Sequence, residues 1–237
     1  MRKGLILLLV VPLLTGCVTT YRSHPSFQQS FNTSETIAII SPHMKMHQLT
    51  AGGIPQYMED WSRKSKEETS LALKDHVEEI LQKKTLFIDG KDFTDAQKMV
   101  LDQQAGMFYV VATSVLMHTY ESPFKFPHKI KKFDYSLGPE VAQLKQFAPE
   151  ANIFIFCSGQ NFIWTAGRVC MSVVGAALGI QLMPGSEWIV VGLVDANSGD
   201  LLWFDYVPMP GDLREHKVVD VVIKKLLSRI ERRRKKT

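Results

Sequence analysis

Apolar positions recur along this chain with two periods, and the switches between them mark its elements. "TIAIIS" (residues 36–41) is a β-branched run ended by Pro42 and predicts a buried strand. After a loop with Gly52, Gly53 and Pro55, Ser65-Lys66-Glu67-Glu68 has the form of a capping box. Leu73, Val77, Ile80 and Leu81 follow at helical spacing, so a helix is expected to end near Lys84. "TLFID" (85–89) predicts a second strand. From 93 to 120, Ala96, Met99, Val100, Met107, Val110, Val111 and Val115 keep a helical period, so this stretch is read as helix although Gly106 interrupts it. "ESPFKFPHKIKKFDYS" reads as a loop. Gly138-Pro139 opens a further helix with Val141, Leu144 and Phe147 inward, and Pro149 stops it. Residues 151–159, "ANIFIFCSG", form a strand that is apolar on both faces. Strands over 187–194 and 201–207 pair around the turn Ala196-Asn197-Ser198-Gly199. A last helix, 213 to about 232, carries Val219, Val222, Ile223, Leu226, Leu227 and Ile230 in one stripe. The order implies an α/β fold of the α+β sandwich kind, a mixed sheet with helices packed on it and a C-terminal helix.

The first residues follow neither period. "MRKGLILLLVVPLLTGC" has Arg2 and Lys3, an uncharged apolar run from Gly4 to Leu14, then Thr15 and Gly16 before Cys17, the anatomy of a secretory signal. The run is short of the roughly 20 apolar residues that a spanning helix needs. Leu14-Thr15-Gly16-Cys17 resembles the lipobox of bacterial lipoproteins. That resemblance implies a signal peptide at 1–16 and an acylated Cys17, palmitate included, as the first mature residue. Its thiolate would be the nucleophile, and each acyl CH₂ adds about 0.8 kcal/mol of membrane affinity. An ordinary secretory cleavage that leaves Cys17 free is the alternative. Val18, where retention at the inner membrane would be signalled by Asp, leans toward the outer membrane. Residues 17–35, polar and rich in Ser, Thr and Gln, read as a flexible tether, leaving one α/β domain over 36–228.

Charge changes the picture only locally. The 237-residue chain has a net charge of +4, but Lys224 to Lys236 hold eight basic residues and one acid. Setting that +7 aside leaves −3 for the rest of the chain. With the net positive charge concentrated at one end, and with export, nucleic acid is not an expected partner. In the tail 229–237, Arg232, Arg233, Arg234, Lys235 and Lys236 are candidate contacts for an anionic lipid surface, against the plainer reading of a solvated helix end suited to the dipole. Cys157 and Cys170 are expected unpaired, since Cys157 lies in the apolar run "IFIFC".

The search for chemistry yields little. "DANSGD" (195–200) alternates oxygens as a calcium loop does, but lacks the glycine and glutamate positions that an EF-hand requires and reads as a turn. His43 and His47 are four apart, which on a helix would put both on one face toward a metal. They follow Pro42 with no third ligand at a recognised spacing, so a solvated loop is preferred. Ser158 precedes a glycine at a strand end, a fragment of a nucleophile elbow without its first glycine. No catalytic residue, metal, cofactor or small-molecule substrate is therefore expected. The insert 161–186 is sharper: small or apolar from Val169 to Leu182, with Gly175 and Gly179 spaced to allow close helix approach. With Trp164 and Arg168 at its head, it is either an arm packed on its own domain or an interaction surface for a second copy or a membrane-embedded partner.

"TIAIIS", "GPEVAQLKQFAPEANIFIFCSG" and above all "VGLVDANSGDLLWFD" resemble the pattern of the TolB-N-terminal-like lipoproteins, a group that includes the curli-export lipoprotein family and the penicillin-binding-protein activator LpoB. The likeness covers about 36–228 and departs over 93–120 and 161–186. It implies binding and assembly rather than catalysis. The expectation is a lipid-anchored adaptor of a cell-envelope complex for secretion or surface-structure biogenesis, facing the periplasm from the outer membrane and able to form homo-oligomers. Activation of a peptidoglycan synthase and an envelope hydrolase are the alternatives.

Overall fold

Ile153 to Gly159 are buried on both faces without a polar break before Ser158, and the architecture is built along this stretch. In the computed structural model, which describes residues 21–182 and 185–234, this stretch opens a twelve-residue strand that runs on to Trp164. The elements in chain order are β1 (Arg22–Ser23), α1 (Phe27–Thr33), β2 (Thr36–Ile40), β3 (His43–Leu49), β4 (Pro55–Tyr57), α2 (Glu59–Leu81), β5 (Lys84–Ile88), α3 (Asp95–Val115), α4 (Pro127–Lys131), β6 (Ile153–Trp164), α5 (Ala166–Ala177), β7 (Trp188–Asp195), β8 (Leu201–Pro208) and α6 (His216–Arg234). One π turn, Leu116–Tyr120, ends α3, and a 3₁₀ helix, Pro139–Gln146, precedes β6. The expected mixed sheet with packed helices is what forms: eight strands in one sheet, ordered β1-β8-β7-β6-β2-β5, with β3 and β4 alongside the far half of β6.

β2 and β3 flank the same side of β6 in succession. β2 runs parallel to Ile153–Ile155, Pro42 interrupts the strand, and β3 runs parallel to Ser158–Trp164. On the other side β7 pairs antiparallel with β6, β8 with β7, and β1 with β8. One face of the sheet buries Ile37, Ile39, Met44, Met46, Ile155 and Cys157 under α2 and α6; the other buries Phe154, Phe156, Val190 and Phe204 under α3 and the 3₁₀ helix. The stripes predicted for the second and last helices hold: Leu73, Val77 and Leu81, and all six named residues of α6, are buried. The hairpin turn holds as well. Asp195 Oδ1 accepts from the Asn197 and Ser198 N–H groups at 2.9 Å, and Gly199 sits at φ 77° so close to the Gly138 carbonyl that an added Cβ would lie 2.0 Å from its oxygen.

Several expectations are corrected. Residues 17–35 are not a tether throughout. β1 extends the sheet, and α1 buries Phe27 and Phe31 in the α2/α6 core, where Phe27 tilts against Trp203 at 5.2 Å and Tyr21 stacks on it at 4.5 Å. Three aromatics spaced along a polar stretch bury enough area to fold it down. The helix expected from Ser65 begins at Glu59. Ser65 is buried inside it, and the capping box stands at Thr94–Gln97 instead. The insert 161–186 starts inside a strand, because β6 continues through Asn161 to Trp164. Arg229 belongs to the fold and not to a tail: its Nη1 donates to both oxygens of the fully buried Asp205 at 3.0 Å, tying α6 to β8. Cys17 and the signal 1–16 lie outside the described residues.

Two outcomes test this anatomy. Phe27→Ala should cost about 3–5 kcal/mol of stability in urea unfolding followed by tryptophan fluorescence, where a tether would lose nothing. Arg229→Ala, which strands a buried carboxylate, should cost about 3–5 kcal/mol in the same assay.

Candidate functional site

β3 alternates. Met44 and Met46 point into the α2/α6 core, while His43, Lys45 and His47 face the opposite side, in register with Ser158, Gln160 and Phe162 of β6. There they meet an aromatic shelf. His43 lies 5.3 Å from the Tyr109 ring, Lys45 Nζ sits 4.0 Å above that ring, the Tyr109 hydroxyl donates to Gln160 Oε1 at 2.6 Å, and Trp188 tilts against Tyr109 at 5.4 Å. His47 stacks on Phe162 at 4.9 Å and meets the Tyr57 edge at 5.8 Å. The solvated loop expected here is thus a strand. Four residues along a strand are about 13 Å apart, so the spacing that would join two ligands on a helix separates His43 from His47. Burial, then the nearby Lys45, hold both imidazoles below their usual pKa, and burial pushes the Tyr109 hydroxyl up. The shelf is neutral and apolar apart from Lys45.

Ser158 is fully buried and its hydroxyl has no hydrogen-bond partner among the described residues; the register sets it beside His43, but no bond joins them. Cys157 points to the other face, and burial raises its thiol pKa far above the usual range. Cys157 is buried and Cys170 exposed, and both are free.

Beyond the shelf β6 leads through Thr165, whose Oγ1 accepts from the Arg168 N–H at 3.2 Å, into α5. Arg168 folds back with its guanidinium 5.4 Å from the Trp164 ring and packs against Gly53 of the β3–β4 turn. Gly175 and Gly179 do not form a contact face for another helix. Gly179, at φ 75°, lies past the helix end, and Gly175 packs under Ile180, whose N–H donates to the Gly175 carbonyl at 2.7 Å, so both serve the local C-cap. Arg168 and Gly175 are the buried residues of α5; Val173 is 65% and Leu178 72% exposed. An open cleft of about 470 Å³ lies between Trp164, Ser172, Ala176 and the segment from Gly179 to Leu182.

α3, expected as a helix, carries a surface that its apolar period alone does not place. It buries Leu101, Ala105, Phe108, Ala112 and Val115, whereas Met99, Met107 and Val110 face solvent, Val110 with 62% exposure. The apolar period was correct, but it is two stripes and only one faces the sheet. Beside Met107 a cleft of about 330 Å³ opens between α3 and the 3₁₀ helix. The neighbouring loop adds the exposed Phe124 and Phe126. The signal in the sequence was the eight-residue step from Met99 to Met107, which continues to Val110 off the buried face.

The basic residues lie at the other end of the molecule from α5. Arg234 pairs with Glu231 at 2.6 Å and reaches Gln82 at 3.5 Å, and the Arg233 carbonyl accepts from Gln28 at 3.3 Å, which puts the end of α6 beside the start of the parallel strands. Arg232 is on this same last turn of α6; Lys235 and Lys236 lie outside the described residues.

No family model matches the chain, and no curated protein does. Among solved structures, the chain is similar to two PelC dodecamers from Paraburkholderia phytofirmans. One, of a point variant, has 9% identity and a TM-score of 0.37, covering 83% of this chain and 89% of that one. The other has 9% identity and a TM-score of 0.36, covering 89% and 94%.

The shelf makes stability depend on pH. A histidine whose folded pKa lies below its ordinary value of about 6.5 binds its proton more readily in the unfolded chain, so its contribution is complete above that value and is lost as pH falls through the lower folded one. Glu187, whose pKa burial raises, acts in the opposite sense. Urea unfolding should show lower stability at pH 5.5 than at pH 7.5, on the order of one unit either side of the histidine range. The double variant His43→Gln/His47→Gln should reduce that difference.

Proposed function

We propose that this protein is a lipid-anchored adaptor of a cell-envelope complex, held at a membrane by acylated Cys17 and acting by binding other proteins, in the setting of secretion or surface-structure assembly. The resemblance to the TolB-N-terminal-like lipoproteins belongs to this reading, as does a place at the outer membrane facing the periplasm. The observation that carries it is a conjunction. A signal-type segment ends on a lipobox cysteine four residues before Tyr21, where the described fold begins, and that fold presents an unpartnered apolar stripe on α3.

The stripe suits a protein. At 100° per residue, Met99, Met107 and Val110 span about 80° of the helix, a width that one groove covers. Gln103 stands exposed within the stripe and Asp102 about 60° to one side of it, so a partner there meets polar groups as well as apolar ones. The shallow cleft beside Met107 gives a partner side chain somewhere to anchor.

A photo-crosslinker at Met107 in intact cells should capture a subunit of an envelope assembly system, and Val110→Asp should abolish capture while changing stability by no more than about 0.5 kcal/mol. Capture of a penicillin-binding protein would replace this reading with regulation of a cell-wall synthase. Cells fed labelled palmitate should yield a labelled chain that Cys17→Ala leaves unlabelled; an unlabelled wild-type chain overturns the anchor.

A further inference from the structure

We infer that α5 and the tip around it lie in the interfacial layer of a membrane, as a short helix that enters the bilayer without crossing it. The inference rests on the lipoprotein reading for its second attachment point, and on α5 itself for the first.

The exposed arc of α5 is too wide for a protein groove. Taking 100° per residue, the exposed positions from Ala176 through Val169, Val173, Cys170, Val174 and Leu178 to Met171 sweep about 220° of the helix circumference. The buried Arg168 and Gly175 occupy the remainder. A helix that docks on a partner presents an apolar stripe of roughly 100° and a polar back. A second copy seated on one side of this helix would leave the rest of the arc in water. Lipid covers every exposed side at once. From Val169 to Ser186 the sequence has no charged residue and no histidine, so nothing on the arc opposes transfer out of water.

The surroundings agree. Ile54, on the β3–β4 turn under Arg168, is 67% exposed, and Met209, just past the end of β8, is 72% exposed. Trp164 stands at the base of α5, where an aromatic ring sits at the headgroup level of a bilayer. The nearest acids in sequence to this turn, Glu59 and Asp60, open α2 on the body side of β4. Twelve residues of helix extend about 18 Å against a hydrocarbon core of about 30 Å. No described helix is long and apolar enough to cross a membrane.

The N-terminal chain has a place of its own in the sheet. β8 ends at Pro208, in register with Trp188, which pairs with Gln160 on the way to α5. β1 runs antiparallel to β8, Arg22 opposite Phe204 and Ser23 opposite Trp203. Read backward from Arg22, the chain heads toward the end of the sheet that carries α5, from a starting level opposite Phe156. Cys17 is four residues before Tyr21, a reach of at most about 14 Å. Arg233 of α6 lines a cleft with Tyr21 and Arg22, so the chain enters beside the end of α6 and α5 makes a contact of its own.

Cys170 sits near the middle of the arc and is exposed, whereas Cys157 is buried with its thiol pKa raised, so an environment-sensitive fluorophore can be placed on Cys170 alone in a chain of residues 17–237 with Cys17→Ser. That chain retains every described element. Adding vesicles of phosphatidylethanolamine and phosphatidylglycerol should shift the emission to the blue, and nitroxide lipids should quench it. Val173→Asp/Leu178→Asp should weaken partitioning roughly tenfold or more while leaving circular dichroism and the melting temperature unchanged. Emission that stays at its value in water with vesicles present overturns the inference. So does a blue shift that follows protein concentration without lipid, which would assign the arc to a second copy. The anchor fails separately: if Cys17 takes up no palmitate in cells but the Cys170 probe enters vesicles, the lipoprotein reading falls and the helix insertion stands; if Cys17 is acylated and the probe stays in water, the reverse holds.

Discussion

The length of β6 is the constraint on which the rest of the molecule depends. A twelve-residue strand extends about 40 Å, more than one helical layer covers. Its first half is buried under helices on both faces, and its second half runs on with β3 beside it as a ledge. Three of the exposed features grow from that second half: the aromatic shelf, the β3–β4 turn, and α5. Because Gly159 lets the Met44 and Leu213 side chains pack closely against β6, the helical layer closes there, and an added Cβ would meet the Met44 methyl at 2.5 Å.

Most of the body could be read in the sequence because its patterns are local. The stripe of α6 and the hairpin β7–β8 need no tertiary information: one has an unbroken helical period, the other a turn whose Asp, Asn and Gly have fixed conformational roles. What failed was non-local. "HMKMHQL" alternates strictly, yet Pro42 beside it and the two histidines drew it toward a loop; only the extra length of β6 supplies the partner that makes it a strand. α1 and β1 failed for the same reason, since Tyr21, Phe27 and Phe31 become core residues only when Trp203 is brought to them. Polar composition describes the exposed side of such a segment and says nothing about a few aromatics that find a site.

The candidate surfaces were legible in part. The apolar insert stood out because a run without charge is visible in one dimension. Its glycine spacing misled, because two glycines four apart serve a helix–helix contact only if both lie inside the helix, and here one is the residue that ends it. The helical period of α3 was legible, but a period does not say which of its residues meet the sheet.

The two exposed apolar helices differ in a way that separates their environments. α3 is anchored along its length, with a narrow stripe outward and polar neighbours at its rim. Desolvating such a stripe requires a surface shaped to it, and the cost of covering a rim residue such as Asp102 discriminates between partners. α5 rests mainly on the end of β6, with apolar side chains over more than half of its circumference. A medium with no shape of its own satisfies that helix, and gains in affinity with each apolar group that enters it. A membrane that receives α5 at the end of the sheet leaves the α3 face turned sideways, clear of the bilayer and open to a protein.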